Sequence, residues 1–181
     1  VRRSGEITIE AWVRPANSKQ DGPARMVTLS GGSSERNFTL GQEGDKVDVR
    51  MRTTKTSGNG IPSLNSPGRS LAPRLTHIVY TRNRGGRARL FLNGKQQAEK
   101  RVPGAMANWN GKYRLALANE FSSERPWLGT FHLVAIYSRD LSVEEVTQHF
   151  KAGVNARSTG AQLATRKQSA KEQFFDREIA P

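Results

Sequence analysis

Hydrophobic and polar residues alternate with a period of two through most of the chain up to residue 138. The stretch ITIEAWVR (7–14) shows the pattern most clearly, and Pro15 ends it. A two-residue period is typical of β-strands with one face against a core. Comparable stretches occur at 26–30, 37–41, 46–52, 75–82, 87–94, 95–101, 113–118 and 131–138. The pattern therefore predicts about nine strands.

Turn signals separate these strands. Asn93-Gly94 favours a tight hairpin, because both central residues of such a turn need a positive φ. Residues 53–74 are rich in Gly, Pro, Ser and Asn, which predicts a long loop. Ser142-Val-Glu-Glu145 is a capping box that predicts a helix through about Lys151, stopped by Gly153. Many short strands and one late helix predict an all-β fold, an antiparallel β-sandwich.

The chain has 181 residues, which suits one domain with its own core. No run approaches the roughly 20 apolar residues of a membrane span, so none is predicted. The absence of cysteine excludes disulfides and thiolate metal sites. The chain begins with Val1 rather than Met, which indicates a segment of a longer parent protein.

The formal net charge is +13. Such a balance favours anionic partners, namely nucleic acid, acidic lipid headgroups, or sulfated and uronic polysaccharides; the alternative is a role in solubility alone. Nucleic acid is not expected as a partner, because no helix concentrates the basic residues and no zinc or RNA-recognition motif is present.

Five motifs follow one another along the chain, and their order is characteristic: ITIEAWVRP, LTHIVYT, RLFLNGKQQA, YRLALAN and GTFHLVAIYSRDLSVEEV. Together they resemble the laminin G-like, concanavalin A-like lectin/glucanase jelly-roll family over about residues 7–150. The resemblance implies two stacked, curved antiparallel sheets and extracellular ligand recognition. Members of the family include sugar-binding, protein-binding and glycosidase domains, so the fold alone does not choose a function.

The sequence disfavours an enzyme. Retaining glycosidases need two carboxyls about 5 Å apart, and the glucanases of the resembled fold use Glu-x-Asp-x-Glu, which is absent here. His77, His132 and His149 have no companions nearby in the sequence for Ser–His–acid chemistry. A glycoside hydrolase is therefore the least favoured of the three functions considered, and no catalytic residue is predicted.

No cofactor is predicted within the chain. Many relatives in the resembled class hold a structural calcium with an acid in the last long strand, where this chain has His132 and Leu133. A neutral imidazole suits calcium poorly. Loop oxygens could still form a calcium site, although their ordinary role is turn chemistry and solvation; these are Asp21, Glu43, Asp45, Asn119 and Glu120. Calcium is thus left open without support.

The first candidate binding site is an arginine hairpin around Gly85-Gly86. If residues 82 and 87 pair, one face carries Tyr80, Arg82, Arg87 and Arg89, and Arg84 lies at the turn. Guanidinium groups bind carboxylate and sulfate in a bidentate manner, and Tyr80 could stack on a sugar ring. The alternative is a solvated face whose charges protect a sheet edge.

The second candidate site lies in the loops that contain Trp109 and Trp127. The polar residues beside them are Asn110, Asn119, Glu120 and Arg125. An aromatic face with amides and a carboxylate is what sugar binding requires. Trp127, like Trp12, is expected to pack in the sandwich, whereas Trp109 fits a binding role and a core role equally.

Residues 154–181 are predicted to be a linker or tail, helical in part. Their FFDREIAP motif is similar to the lead-in of planctomycete-type cytochrome c domains, which implies a haem domain beyond Pro181. The alternative is a terminal helix that packs on the sandwich.

Residues 1–153 are thus predicted to be a non-catalytic recognition module of a larger exported bacterial protein, located outside the cytoplasm. The expected partner is a polysaccharide or glycan, preferably acidic. The alternative is a structural or protein-interaction module that positions a neighbouring haem domain, in which case other domains of the parent protein are its partners.

Overall fold

The computed structural model describes residues 1–153 as two stacked antiparallel sheets of five strands each. The first sheet contains, in spatial order, β10 (Gly129–Tyr137), β1 (Ile7–Pro15), β6 (Thr76–Arg82), β7 (Arg87–Leu92) and β8 (Lys95–Arg101). The second contains β5 (Leu64–Asn65), β4 (Lys46–Met51), β3 (Arg36–Gly44), β2 (Gln20–Ser30) and β9 (Arg114–Leu117). A 3₁₀ turn spans Met106–Asn108, and helix α1 spans Val143–Ala152. The predicted antiparallel sandwich is confirmed.

The core fills the space between the two sheets. The alternate residues of β1 that the sequence pattern selects, Ile7, Ile9, Ala11 and Val13, are all fully buried in it. Burying one such branched side chain contributes about 1.5–3 kcal/mol, so the two-residue period largely determines which face of each strand points inward. The strand that the pattern misses is β5, because two residues within a long loop show no period.

Helix α1 covers the outer face of the first sheet. The predicted capping box is present: Glu145 N donates to Ser142 Oγ at 3.2 Å, and Ser142 N donates to the Glu145 carboxylate at 2.8 Å. Val146 packs on Val79 and Phe91. The helix thereby buries outward-facing residues of β1, including Trp12, whose predicted structural role is confirmed.

A buried polar cluster lies beneath α1, centred on Glu10. Its carboxylate lies 2.9 Å from His77 Nε2 and 3.0 Å from His149 Nδ1, and it accepts a 2.9 Å hydrogen bond from the Tyr137 hydroxyl. Burial raises the pKa of Glu10, but these hydrogen bonds outweigh it and lower that pKa to about 2. His77 and His149 have no companions nearby in the sequence, but the fold brings both to Glu10 from a distant strand and from the helix.

Helix α1 lies on the outer face of the first sheet, whereas loops border the outer face of the second sheet within residues 1–153. This face positions the polar residues described next.

Candidate functional site

The register of the β6–β7 hairpin is one residue away from the predicted one. Arg82 pairs with Ala88, not with residue 87. The turn contains an extra residue: Asn83 N donates to the Arg87 carbonyl at 3.1 Å, and Gly86 has a φ of 87°. A one-residue shift moves each side chain to the opposite face. The predicted single face of four exposed side chains is therefore wrong.

Tyr80 and Arg82 point into the sandwich as a result, and both are buried. Burial raises the pKa of the Tyr80 phenol, and its ring cannot stack on a sugar from this position. The Arg82 guanidinium donates to backbone carbonyls of Val102 at 3.1 Å and Gly5 at 3.0 Å. Arg82 therefore holds neighbouring loops together.

The other arginines of the hairpin lie on the opposite face, and each has a partner. Arg89 is buried and donates to Asp140 at 3.1 Å. Arg87 is exposed and forms a bidentate ion pair with Glu99 at 3.0 Å. Their pairing leaves less free charge at the hairpin than its sequence indicates.

Arg84 donates to the Ser4 carbonyl at 3.0 Å. Beside the turn is an open depression of about 520 Å³, lined in part by Arg87, Lys100 and Arg101. The hairpin end is thus basic, and among residues 1–153 no aromatic side chain lines the depression.

Trp109 and Trp127 both belong to the core. The Trp109 indole is only 7% exposed, and its Nε1 donates to the Arg52 carbonyl at 2.7 Å. Its interpretation as a sugar-binding surface is wrong, because the loop folds inward over Phe38. Trp127 is buried as predicted, and its Nε1 donates to Gln42 Oε1 at 2.8 Å. Asn110 shapes the adjoining loop, since its carbonyl accepts from Asn37 Nδ2 at 2.9 Å.

Asn119, Glu120 and Arg125 do converge, at the edge of the second sheet. Asn119 Oδ1 accepts from the backbone N–H of Glu120 at 2.8 Å and of Arg125 at 3.0 Å, which closes a tight loop. The Arg125 carbonyl accepts from Arg25 N at 3.0 Å, which ties that loop to β2. The loop delivers the Glu120 carboxylate to the outer face of the sheet.

That outer face, called the polar face below, consists of three cross-strand rows. The rows are Asn65–Asp48–Gly41–Arg25, Arg50–Thr39–Thr28–Ala116 and Arg36–Ser30–Arg114. The alternation along each strand produces this polar face. In β4 the core side consists of Val47, Val49 and Met51, so Asp48 and Arg50 face outward.

Two fully buried arginines share a single carboxylate at the floor of the polar face. Arg25 Nε donates to Glu120 Oε1, and Arg36 Nη1 lies 3.5 Å from the same oxygen. Ser30 Oγ donates to the other carboxylate oxygen at 3.3 Å. Arg36 also donates to Thr39 Oγ1 at 2.9 Å. The sequence singled out Glu120 as a ligand contact, whereas its buried carboxylate is occupied by these arginines.

The floor carries excess positive charge. Burial, reinforced by the charge of Arg25, lowers the pKa of Arg36 to about 10. Burial also lowers the pKa of Arg25, although Glu120 opposes the change. Arg36 Nε is buried and has no hydrogen-bond partner in the described part of the chain. Buried donors without partners are rare in proteins, and each calls for an explanation.

Exposed groups surround this floor. Arg50 Nε donates to Asp48 Oδ1 at 3.0 Å, and the side chain of Arg50 remains partly exposed. At the opposite edge the Arg114 guanidinium lies 3.8 Å from the centre of the Phe121 ring, which is 51% exposed. An exposed ring beside cations and hydroxyls suits a sugar with an anionic substituent.

Sequence reasoning missed Arg25, Arg36, Arg50, Arg114 and Phe121 as site residues. The alternation in 46–52 does place Arg50 outward, but it gives no sign that five strands collect their polar residues on one face. Phe121 lies in a loop without periodicity, so only the structure identifies its exposure.

Some of the residues considered for calcium lie apart or have other partners in the described part of the chain. His132 is an exposed bulge residue of β10, opposite the step from Trp12 to Val13. Glu120 is occupied by arginines, and Asp45 uses its carbonyl to accept from the backbone of residues 70 and 71. Within residues 1–153 no group of three or more His, Asp or Glu is placed to hold a metal ion.

Residues 154–181 lie outside the described part of the chain, and so does the predicted linker with its FFDREIAP motif. No comparison supports the resemblance of that motif to the lead-in of a cytochrome c domain.

Residues 1–147 match the family described as the concanavalin A-like lectin/glucanases superfamily. No curated protein sequence matches the chain. Among solved structures, the CBM40 domain of the Ruminococcus gnavus IT-sialidase, bound to α2,3 sialyllactose, is similar with a TM-score of 0.63 and 16% identity. The match covers 79% of this chain and 81% of that chain.

Two further solved structures share the fold. Domain 4 of the GH43 extracellular arabinanase from Geobacillus stearothermophilus, in complex with arabinotriose, has a TM-score of 0.59 and 15% identity, covering 80% of this chain and 66% of that chain. A botulinum neurotoxin type C structure, described as dependent on two ganglioside molecules for cell entry, has a TM-score of 0.58 and 15% identity, covering 81% and 35%. At these identities the likeness establishes the fold.

Proposed function

Because the chain belongs to the concanavalin A-like lectin/glucanases superfamily, we propose that it is a non-catalytic carbohydrate-binding module that prefers anionic glycans. Carbohydrate-binding modules and a ganglioside-dependent toxin share its fold, which supports a glycan as the ligand. The proposed binding site is the polar face of the second sheet.

The observation that carries this proposal is the sharing of Glu120 by Arg25 and Arg36. With Arg50 and Asp48 included, this face holds three guanidinium groups and only two carboxylates. Uncompensated buried charge is costly, and an anionic ligand group above the floor reduces that cost. At an effective dielectric constant of about 20, a carboxylate roughly 8 Å from one guanidinium gains about 2 kcal/mol.

The exposed groups would make direct contact with the ligand. Arg50 supplies a guanidinium for a carboxylate, and Phe121 supplies a ring for the apolar face of a sugar. Arg114 lies above that ring, so it can pair with the same ligand. Buried Arg25 and Arg36 act from beneath through their charge.

Hydrolysis of glycans is not supported by this face. Glycoside hydrolysis needs one carboxyl as proton donor and a second as nucleophile or base. Both carboxylates of the polar face, Asp48 and Glu120, are instead bonded to arginines.

We place the module in a larger exported bacterial protein, outside the cytoplasm. The likeness to a domain of an extracellular arabinanase supports this placement. No helix of the described chain is long and apolar enough to cross a membrane.

Binding to a glycan panel near physiological salt, with and without a calcium chelator, tests the proposal. The panel contains arabinotriose, sialyllactose, oligogalacturonate and heparin. We expect chelator-insensitive binding to the anionic members, with affinity lowered at least tenfold in Arg50→Ala and in Arg114→Ala. Arg87→Ala, which removes the same charge at the distant hairpin, is the control.

Equal loss of affinity in all three variants would assign binding to net charge rather than to the polar face. No binding across the panel would contradict the proposal and favour the module that positions a neighbouring haem domain.

A further inference from the structure

Four neighbouring strands of the second sheet each contribute one arginine to the polar face. Arg50 lies on β4, Arg36 on β3, Arg25 on β2 and Arg114 on β9. Neighbouring strands lie about 4.8 Å apart, so the first and last of the four, β4 and β9, are separated by about 14 Å. Positive charge is therefore spread across the whole width of these four strands.

The arginines of β4 and β9 are the accessible ones, and they border the face from opposite edges. Arg50 is partly exposed and leans along its own strand, because its Nε donates to Asp48 Oδ1 at 3.0 Å. Arg114 is exposed, and its guanidinium lies beside the ring of Phe121. Since an ion pair needs its atoms within about 4 Å, one carboxylate cannot pair with both arginines.

The two inner arginines supply charge between these edges. Arg25 and Arg36 are buried and share the carboxylate of Glu120. Both also donate to the carbonyl of Ser33, which satisfies hydrogen bonds without cancelling charge. Adding Arg114 to the three guanidinium groups counted above gives four guanidinium groups on this face and two carboxylates. A ligand that crosses the face therefore meets positive charge along its whole length.

The spacing of these charges matches that of a linear polyuronate. Each unit of such a chain carries one carboxylate and advances the chain by roughly 5 Å, which is close to the distance of about 4.8 Å between strands. The separation of about 14 Å between β4 and β9 thus corresponds to roughly three steps along the chain. The carboxylates of a first and a fourth unit can reach both edges, whereas one acidic sugar can reach only one edge.

We propose that the polar face binds a continuous stretch of a polyuronate, about four units long and laid across the strands, with Arg50 at one end and Arg114 at the other. The charges of Arg25 and Arg36 act on the carboxylates of the central units. This inference rests on the proposed binding of anionic glycans and specifies their class. The ligand is a chain with an acid on successive units rather than a glycan that ends in one acidic sugar.

Both ends of the face have groups left for such a ligand. A guanidinium has five N–H donors, and the contacts of Arg50 within residues 1–153 are with Asp48 and with Asn59, at 3.4 Å. The remaining donors can bind a carboxylate in a bidentate manner. At the other end the ring of Phe121 is 51% exposed. It can pack against the apolar face of a sugar whose carboxylate pairs with Arg114.

Calorimetry of the full chain with the monomer, dimer, tetramer and hexamer of galacturonate, near physiological salt, tests the length of the site. We expect the affinity to rise at least tenfold from dimer to tetramer, because only the tetramer reaches both edges at once. From tetramer to hexamer we expect less than about a twofold change, since the added units extend beyond the face.

The rise from dimer to tetramer should be lost in Arg50→Ala and in Arg114→Ala. Arg87→Ala removes the same charge at the distant hairpin and should keep the rise. Arg50→Lys retains a charge at the edge and should keep part of the rise, and circular dichroism establishes that each variant is folded.

The stoichiometry with long polygalacturonate tests whether the bound stretch is internal. We expect several modules per polymer chain, whereas recognition of a chain end gives one. A monomer that binds as tightly as the tetramer, or one module per polymer chain, would overturn this inference and leave the proposed glycan binding standing. Loss of the rise in Arg87→Ala would overturn it as well, by assigning the length dependence to net charge. If no galacturonate binds at any length, both proposals fail.

Discussion

Replacing Glu120 by Gln should destabilise the domain far more than an ordinary change of a surface carboxylate. The substitution keeps the shape of the side chain and removes its charge. Glu120 is buried and contacts both Arg25 and Arg36, which are buried as well. Removing one partner of a buried ion pair costs about 3–5 kcal/mol. For a domain of this size each kcal/mol lowers Tm by about 2–4 °C, so Tm should fall by roughly 6–20 °C.

Thermal unfolding followed by circular dichroism measures this effect. The matched control is Glu99→Gln, which makes the same change in the exposed pair with Arg87 and should leave Tm nearly unchanged because solvent screens that pair. Adding Arg36→Met to Glu120→Gln should recover part of the loss, since one uncompensated charge is removed. Equal Tm values for Glu120→Gln and Glu99→Gln would refute the reasoning about the floor of the polar face.

Three further predictions concern residues outside that floor. The pKa of Glu10 is lowered to about 2, so its charge stabilises the fold above about pH 4.5, and this contribution is lost as the pH falls towards 2. In urea unfolding, Glu10→Gln should therefore lose less stability than the wild type over that pH range. An equal loss in both proteins would contradict this prediction. Phe121→Ala should weaken glycan binding without lowering Tm, because the ring is exposed; an unchanged isotherm would remove Phe121 from the site. Trp109→Ala should lower the free energy of unfolding by about 3–5 kcal/mol. At a temperature where the variant is folded, its affinity for the glycan should equal that of the wild type. A lower affinity would restore Trp109 as a ligand contact.

Most of the fold was predictable from local patterns. Alternation in β1 identified the core face because burial of Ile7 and Ile9 decides which side points inward. The capping box at Ser142 located α1 because its hydrogen bonds are local. In contrast, the hairpin register depends on the turn at Gly85 and Gly86, whose length the sequence left open. That one residue was enough to bury Tyr80 and separate the arginines.

The candidate site was less predictable, because its residues meet only through strand order. Arg25 and Arg36 lie on two neighbouring strands, and Glu120 reaches them from a loop nearly a hundred residues after Arg25. No spacing along the chain encodes this contact. The same holds for Glu10 and His149, which come from the first strand and the helix. Local periodicity reveals faces, whereas charge compensation across a face depends on the complete topology.

The most direct test of an anion-binding polar face is a calorimetric comparison of oligogalacturonate with its methyl ester near physiological salt. The ester carries a methyl group on each carboxyl group, which removes its negative charge. We predict at least tenfold tighter binding of the acid by the wild type, with most of that difference lost in Arg50→Ala. Equal affinity of the wild type for acid and ester would contradict the account.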